Sequence, residues 1–339
     1  MKRLVTILLL AIFISCSVSF HTDEDGLCES VFSIRRETRG TGASDNAESN
    51  IQYWAVMLFD TGNPQAWYYA SSEDSSDITC TVRKGRPYRA YAIVNYPREG
   101  NGLFSPSLVE SESQLLDYSS SLSSNAPDAL VMFGTKNLPQ LPSGITEIPL
   151  YRLCSKVAIA KISVRMDDPV YSAQEFTLKA IYLTNVYTMA SYAGDHPVPS
   201  ADPLCWYNAK DWHGSGNLRT LDILTGDRGL NVTIPNGGSY ETVHTYYAYP
   251  NAAEEDTDQD DWAPRHTRLV IEATLGGKRY YYPITLPTMK RNNCYTVTEA
   301  IIRKPGSLDP EKNIPGVLDT SITITEDTWD SEYHINEAS

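Results

Sequence analysis

The stretch Leu150-Tyr151-Arg152-Leu153-Cys154-Ser155-Lys156-Val157-Ala158-Ile159-Ala160-Lys161-Ile162-Ser163-Val164-Arg165-Met166 is the longest β-like run in the chain. Successive side chains of a strand point to opposite faces, so residues of one parity share a face. Leu153, Val157 and Ile159 have one parity, and Ile162, Val164 and Met166 have the other. The phase changes near Ala160-Lys161, which requires a bulge there or burial on both faces. A strand of this length belongs inside a sheet. The connector ahead of it, Leu138-Pro139-Gln140-Leu141-Pro142-Ser143-Gly144, carries residues that break helices and central strands. Leu150 therefore reads as the hinge between two domains, residues 28–150 and 151–339, with this strand opening the second.

Composition agrees with that division. At about 150 residues per domain, 339 residues suggest two domains. Tyr is abundant (22), Gly and Pro number 20 each, and only 21% of residues are charged, the profile of an all-β chain of short strands joined by turns. A net charge of −14 argues against a nucleic-acid partner, which calls for clustered Lys and Arg. It also disfavours holding an anionic membrane surface by protein charge alone.

The first residues decide the compartment. Lys2 and Arg3 precede an apolar run from Leu4 to Ile14, then Ser15 and Cys16. The run is too short to span a bilayer and reads as a secretory signal, residues 1–15. Ser17-Val18-Ser19 would serve an ordinary cleavage further on. A Cys directly after a small residue instead suits bacterial lipoprotein processing, in which the Cys16 thiol carries the lipid, although Phe13 stands where Leu is more usual. Residues 16–27 then form an acidic tether. Without residues 1–15 the chain loses Lys2 and Arg3 and its charge becomes −16. Cys28, Cys80, Cys154, Cys205 and Cys294 remain, an odd and widely spaced set without a C-x-x-C pair, so neither a zinc site nor a full disulfide framework is implied.

Cys28–Ile34 has the makings of a short strand. The polar loop behind it holds Arg35, Arg36 and Arg39, and such loops are where proteases cut. Strands follow at Ile51–Asp60, Trp67–Ala70, Ile78–Val82, Arg89–Asn95 and Ala129–Gly134. Between them, Leu108, Leu115 and Leu122 fall seven apart behind Ser105-Pro106, which predicts one helix of about four turns. In the second half Glu175–Asn185 alternates, with Phe176, Leu178, Ala180 and Tyr182 on one face. Residues 190–220 form a long irregular segment carrying Trp206, Tyr207, Trp212 and His213. Strands are expected at Thr242–Tyr249, Thr267–Thr274, Arg279–Leu286, Cys294–Arg303 and Thr320–Thr325, and Gly276-Gly277 marks a two-residue hairpin.

Several segments of the second half occur in an order similar to that of the fimbrillins of Bacteroidales, the pilin subunits of type V pili. These are the long strand, Tyr249-Pro250-Asn251, Tyr280-Tyr281-Tyr282-Pro283-Ile284, Arg291-Asn292-Asn293-Cys294-Tyr295-Thr296-Val297 and Ile302-Arg303-Lys304-Pro305-Gly306-Ser307-Leu308-Asp309-Pro310. They cover about 190 residues, and the first half matches mainly in its strand pattern. The resemblance implies two transthyretin-like Greek-key β-sandwiches in tandem, outer-membrane export as a lipoprotein through Cys16, and assembly with other fimbrial subunits by donor-strand exchange. An Arg-specific protease would cut at Arg35, Arg36 or Arg39 and release Cys28–Ile34. The segment Val317–Trp329, with Val317, Leu318, Ile322, Ile324 and Trp329 as apolar plugs, would serve as donor. Ile322 and Ile324 would equally suit an edge strand of their own domain.

Catalytic motifs are missing from the sequence: there is no G-x-S-x-G, P-loop, H-E-x-x-H or G-x-G-x-x-G. No enzyme activity, metal or cofactor is expected. Asp256-Thr257-Asp258-Gln259-Asp260 imitates a calcium loop, but Asp261 stands where Gly is needed and Thr267 where the chelating Glu belongs. The runner-up function is a glycan-binding surface lipoprotein using Trp206, Tyr207 and Trp212 as a stacking platform, against the plainer reading that these aromatics pack the loop onto its own domain.

Overall fold

The computed structural model describes residues 26–35, 47–63, 67–74, 76–98, 104–141, 144–192, 200, 202–209, 219–253 and 264–325. The strands before residue 153 are β1 (Leu27–Arg35), β2 (Trp54–Asp60), β3 (Trp67–Ser72), β4 (Ile78–Arg83), β5 (Tyr88–Val94), β6 (Ser119–Ser121), β7 (Met132–Leu138), β8 (Ile145–Pro149) and β9 (Tyr151–Arg152). All of them except β6 build two facing sheets, β4-β1-β8 and β3-β2-β5-β7-β9. In β2 all seven residues are buried. Trp54, Val56 and Leu58 meet Phe32, Ile78, Val82 and Ile148 between the two sheets. Ala55, Met57 and Phe59 join a second core that runs on into the rest of the chain. Burial on both faces explains why β2 reads as a continuous apolar run instead of an alternation.

The later strands are β10 (Ser155–Ile159), β11 (Ile162–Val164), β12 (Phe176–Thr184), β13 (Val186–Tyr187), β14 (Met189–Ser191), β15 (Trp206–Tyr207), β16 (Gly226–Ile234), β17 (Ser239–Tyr240), β18 (His244–Ala248), β19 (Arg268–Leu275), β20 (Lys278–Thr285), β21 (Cys294–Ile302) and β22 (Leu318–Thr325). One sheet runs β16-β12-β19-β20. In the other, β10 and β11 continue one another beside β21, which carries β22 on its far side. Val157, Ile159, Ile162 and Val164 face Phe176, Leu178, Ile181, Leu183, Leu269 and Ile271 across the core. The chain is thus all-β, built of packed sheets.

The expected break in the long strand falls at Ala160-Lys161, between β10 and β11. The parallel neighbour β21 keeps one register through it, pairing Ile159 with Val297 and Ile162 with Ala300, because β21 changes phase at the same level. On the antiparallel side the pairing moves from Ile159 with His244 to Ile162 with Tyr240, three residues against four. A similar shift occurs in β12 between Leu178 and Ala180. It corrects the expected common face: Phe176 and Leu178 share the core with Ile181 and Leu183, whereas Ala180 and Tyr182 pack outside on Val270. Gly276 and Gly277, with φ of +58° and +82°, make the hairpin between β19 and β20.

The four-turn helix is not formed. In its place stand a short α1 (Glu112–Asp117) and single helical turns at Pro106–Leu108 and Leu122–Ser124. Ser111 caps α1 by accepting a hydrogen bond from the Gln114 amide. The serines beyond it form β6, which pairs with β14 and joins the two halves of the molecule. Heptad spacing survived as burial of Leu115 and Leu122, while Leu108 lies 68% exposed.

Candidate functional site

Local alternation puts Cys28, Ser30, Phe32 and Ile34 of β1 on one face. Phe32 is fully buried, Ser30 is buried, and Cys28 and Ile34 pack against the same core. Glu29 on the opposite face is exposed. β1 pairs antiparallel with β4 from Leu27↔Arg83 to Phe32↔Ile78, and parallel with β8 from Val31↔Ile145 to Arg35↔Pro149. It is therefore a central strand, hydrogen-bonded on both sides. The chain joining it to Ala47 is residues 36–46, so a cut there would leave β1 held by packing and hydrogen bonds alone. Removing it would open a groove floored by the Phe32 pocket and walled by Ile78, Cys80 and Val82 of β4 and Ile148 of β8. Burial pushes the Cys80 thiol up to about 12, so it is inert while β1 is in place.

Of the expected cleavage positions, Arg35 closes β1, and Arg36 and Arg39 lie outside the described residues. Cys16, Trp212 and Trp329 also lie outside them. The remaining plug residues are on or beside β22. Antiparallel pairing to β21 makes β22 an edge strand of the second half, from Cys294↔Thr325 to Ile302↔Leu318. Val317 is buried, Leu318 and Ile322 pack partly on the core, and Ile324 is 48% exposed. Asp319, Thr320, Ser321 and Thr323 face solvent. Where β22 starts, a cavity of about 280 Å³ lies against β20, lined by Tyr281, Ile284, Lys312, Pro315 and Leu318.

The aromatic platform is corrected. Trp206 is fully buried, its indole N–H donating to the Ser200 carbonyl at 2.9 Å and its ring 5.3 Å from that of Tyr187. Tyr207 is 3% exposed and accepts a hydrogen bond from the Arg219 guanidinium, which also covers its ring. Both side chains fold the loop onto its own domain, and neither offers a face to a sugar.

Two features escaped the sequence reading. β8 hid behind the Pro-Ser-Gly punctuation, although Thr146 and Ile148 alternate with Ile145 and Glu147. Glu48, nine residues after Arg39, is buried. Its carboxylate receives Lys156 Nζ at 2.8 Å and the Tyr247 hydroxyl at 2.5 Å, and Arg152 donates to the Ser49 hydroxyl at 2.8 Å. The chain emerging from residues 36–46 is thus clamped to the long strand. Among the described residues no group of three or more His, Cys, Asp or Glu side chains is placed to hold a metal, and no helix is long and apolar enough to cross a membrane.

No family model matches this sequence, and no curated protein matches it. Solved structures do. A putative cell adhesion protein of Bacteroides eggerthii superposes with a TM-score of 0.65 at 19% identity, over 88% of this chain and 95% of that one. A fimbrilin of Porphyromonas gingivalis W83 gives 0.61 at 15% identity, over 88% and 97%. A tip fimbrial protein of Porphyromonas gingivalis, truncated at its C-terminus, gives 0.54 at 12% identity, over 89% and 100%. The chain has the fold of these fimbrial and adhesion proteins.

Proposed function

We propose that this chain is a structural, non-catalytic subunit of a cell-surface fimbria serving adhesion. It is exported as an outer-membrane lipoprotein through Cys16. An Arg-specific protease cuts at Arg35, Arg36 or Arg39, β1 is released, and β22 of a neighbouring copy or of another fimbrial subunit fills the groove. The observation that carries this reading is the placement of β1: a central strand with apolar teeth, ending at Arg35 and followed in sequence by Arg36 and Arg39. Strand addition supplies main-chain hydrogen bonds along the groove, and alternate side chains fill its pockets. Burial of Trp206 and Tyr207 weighs against the glycan-binding alternative.

Limited digestion with an Arg-specific protease tests the proposal. Ladders on gels should appear after digestion, and N-terminal sequencing of assembled protein should begin after Arg35, Arg36 or Arg39. Filaments whose subunits all retain β1 would remove the exchange step. Incorporation of labelled fatty acid should vanish in Cys16→Ala; acylation of that variant would remove the lipid anchor.

A further inference from the structure

β1 and the segment entering β22 carry one pattern. The first reads Leu27-Cys28-Glu29-Ser30-Val31-Phe32-Ser33-Ile34, the second Val317-Leu318-Asp319-Thr320-Ser321-Ile322-Thr323-Ile324. In order, both run apolar, apolar, acidic, hydroxyl, then a position that differs (Val31 against Ser321), then apolar, hydroxyl, apolar. The parity also agrees with the structure. Cys28, Ser30, Phe32 and Ile34 face the core of the first sandwich, and Leu318 and Ile322 face the core that β22 now covers. We infer that, in the joint between subunits, β22 lies in the groove in the same direction and register as β1, so that Leu318, Thr320, Ile322 and Ile324 take the places of Cys28, Ser30, Phe32 and Ile34. This inference rests on the donor-strand reading above and fixes its geometry.

Competing placements bring polar side chains into the core or misfit its sites. A slip of one residue turns Asp319, Ser321 and Thr323 into the core. Reversing the strand about Ser321 sets Thr320 in the Phe32 pocket, where a hydroxyl meets Trp54, Val56 and Leu58 without a partner. It also sets Ile322 on the small Ser30 site, which overpacks it. A slip of two residues of the parallel strand, in either direction, repeats one of these conflicts, and the reversed strand slipped by two brings Gly316 to the Ile34 site, leaving that site unfilled and Ile324 outside the groove. In the matched register Leu318, Ile322 and Ile324 each meet an apolar site, Thr320 meets the hydroxyl site, and the acidic Asp319 stays outside where Glu29 was. The transfer also changes the status of the strand: β22 pairs on one side in its own domain, and would pair with both β4 and β8 in the groove.

A native thiol reads the register directly. Ser30 stands opposite Cys80. In the inferred joint Thr320→Cys stands opposite Cys80 of the next subunit, at a Cα separation of about 4.5–5.5 Å, which a disulfide can span. Thr320 is exposed in the monomer, so the substitution leaves folding intact. The full chain carrying Thr320→Cys is cleaved with the Arg-specific protease, assembled under mild oxidant and run on non-reducing gels. Reducible ladders are expected, about tenfold above those of Ile322→Cys, and absent when Cys80→Ser is added. Ladders from Ile322→Cys in place of Thr320→Cys, or Thr320→Cys ladders that persist when Ile324→Asp is added, would overturn the direction while keeping β22 as donor, because a reversed strand with Thr320 opposite Cys80 leaves Ile324 outside the groove. Filaments in which neither variant cross-links overturn the inference. If Cys80 in those filaments still reacts with maleimide, the groove is empty and the donor-strand reading falls with it.

Discussion

At the scale of single residues, two side chains deserve a measurement because burial makes them informative. Glu48 is 8% exposed and paired with Lys156, whose side chain is 18% exposed. Tyr247 donates to the same carboxylate; burial first and the Glu48 charge second push its phenol far above the usual range, so it stays a donor at any working pH. Lys156→Met would take the Lys156 cation away from the Glu48 carboxylate, and weakening such a pair costs about 1–3 kcal/mol when some solvent reaches it. Urea unfolding should show a lower midpoint with an unchanged slope. The second residue is Ile322, which is smaller than the Phe32 it would replace. Ile322→Phe should fill the pocket, and about 1 kcal/mol of added burial slows subunit release roughly fivefold. Dilution-driven disassembly of filaments measures this, and an unchanged rate would place another residue in the pocket.

At the scale of elements, alternation made most strands legible, because half-buried strands write their faces into the sequence. The long strand announced even its own irregularity: the parity change at Ala160-Lys161 is where β10 gives way to β11. Misreadings have equally local causes. Heptad leucines suggested a helix, yet the serines between them prefer capping and extended pairing, and β6 took three of them. β8 was masked by turn residues, and the role of β1 as a central strand depended on β8, since the parallel partner of β1 lies far along the chain. Trp206 is buried, as the plainer of its two readings had it, and the platform stayed open as an alternative because the sequence shows an aromatic but not its solvent exposure. The corner between β7 and β8 gives a direct check on this packing. A Cβ on Gly134 of β7 would lie 2.1 Å from the Pro149 carbonyl oxygen, a backbone atom that cannot step aside. Gly134→Ala should therefore destabilise the first sandwich by about 1–3 kcal/mol, seen as a lower thermal midpoint. A neutral result would mean that β7 and β8 do not approach so closely.

At the scale of the whole molecule, assembly turns on how much a strand gains by changing places. Cutting after Arg39 removes five acidic residues and three basic ones from the chain that begins at Cys16, so its charge moves only from −16 to −14. Charge therefore does not drive the transition. The gain lies in β22 itself. Burying a large apolar side chain contributes about 1.5–3 kcal/mol, and ordering a free backbone costs about 1–2 kcal/mol per residue. A strand already ordered on β21 has met most of that ordering cost, so the difference comes from new burial and a second row of main-chain bonds. Ile324 concentrates the new burial: it is 48% exposed in its own domain, while its counterpart Ile34 packs on the first core. This asymmetry separates a donor strand from a plain edge strand. Ile324→Asp should leave the monomer within about 0.5 kcal/mol of wild type, because surface substitutions rarely exceed that. In the groove, the same carboxylate would be forced into apolar surroundings without a partner, and polymerisation after protease cleavage should fail. Filaments of normal length from this variant would assign β22 to its own domain permanently, whereas a stable monomer that never assembles identifies the strand that moves.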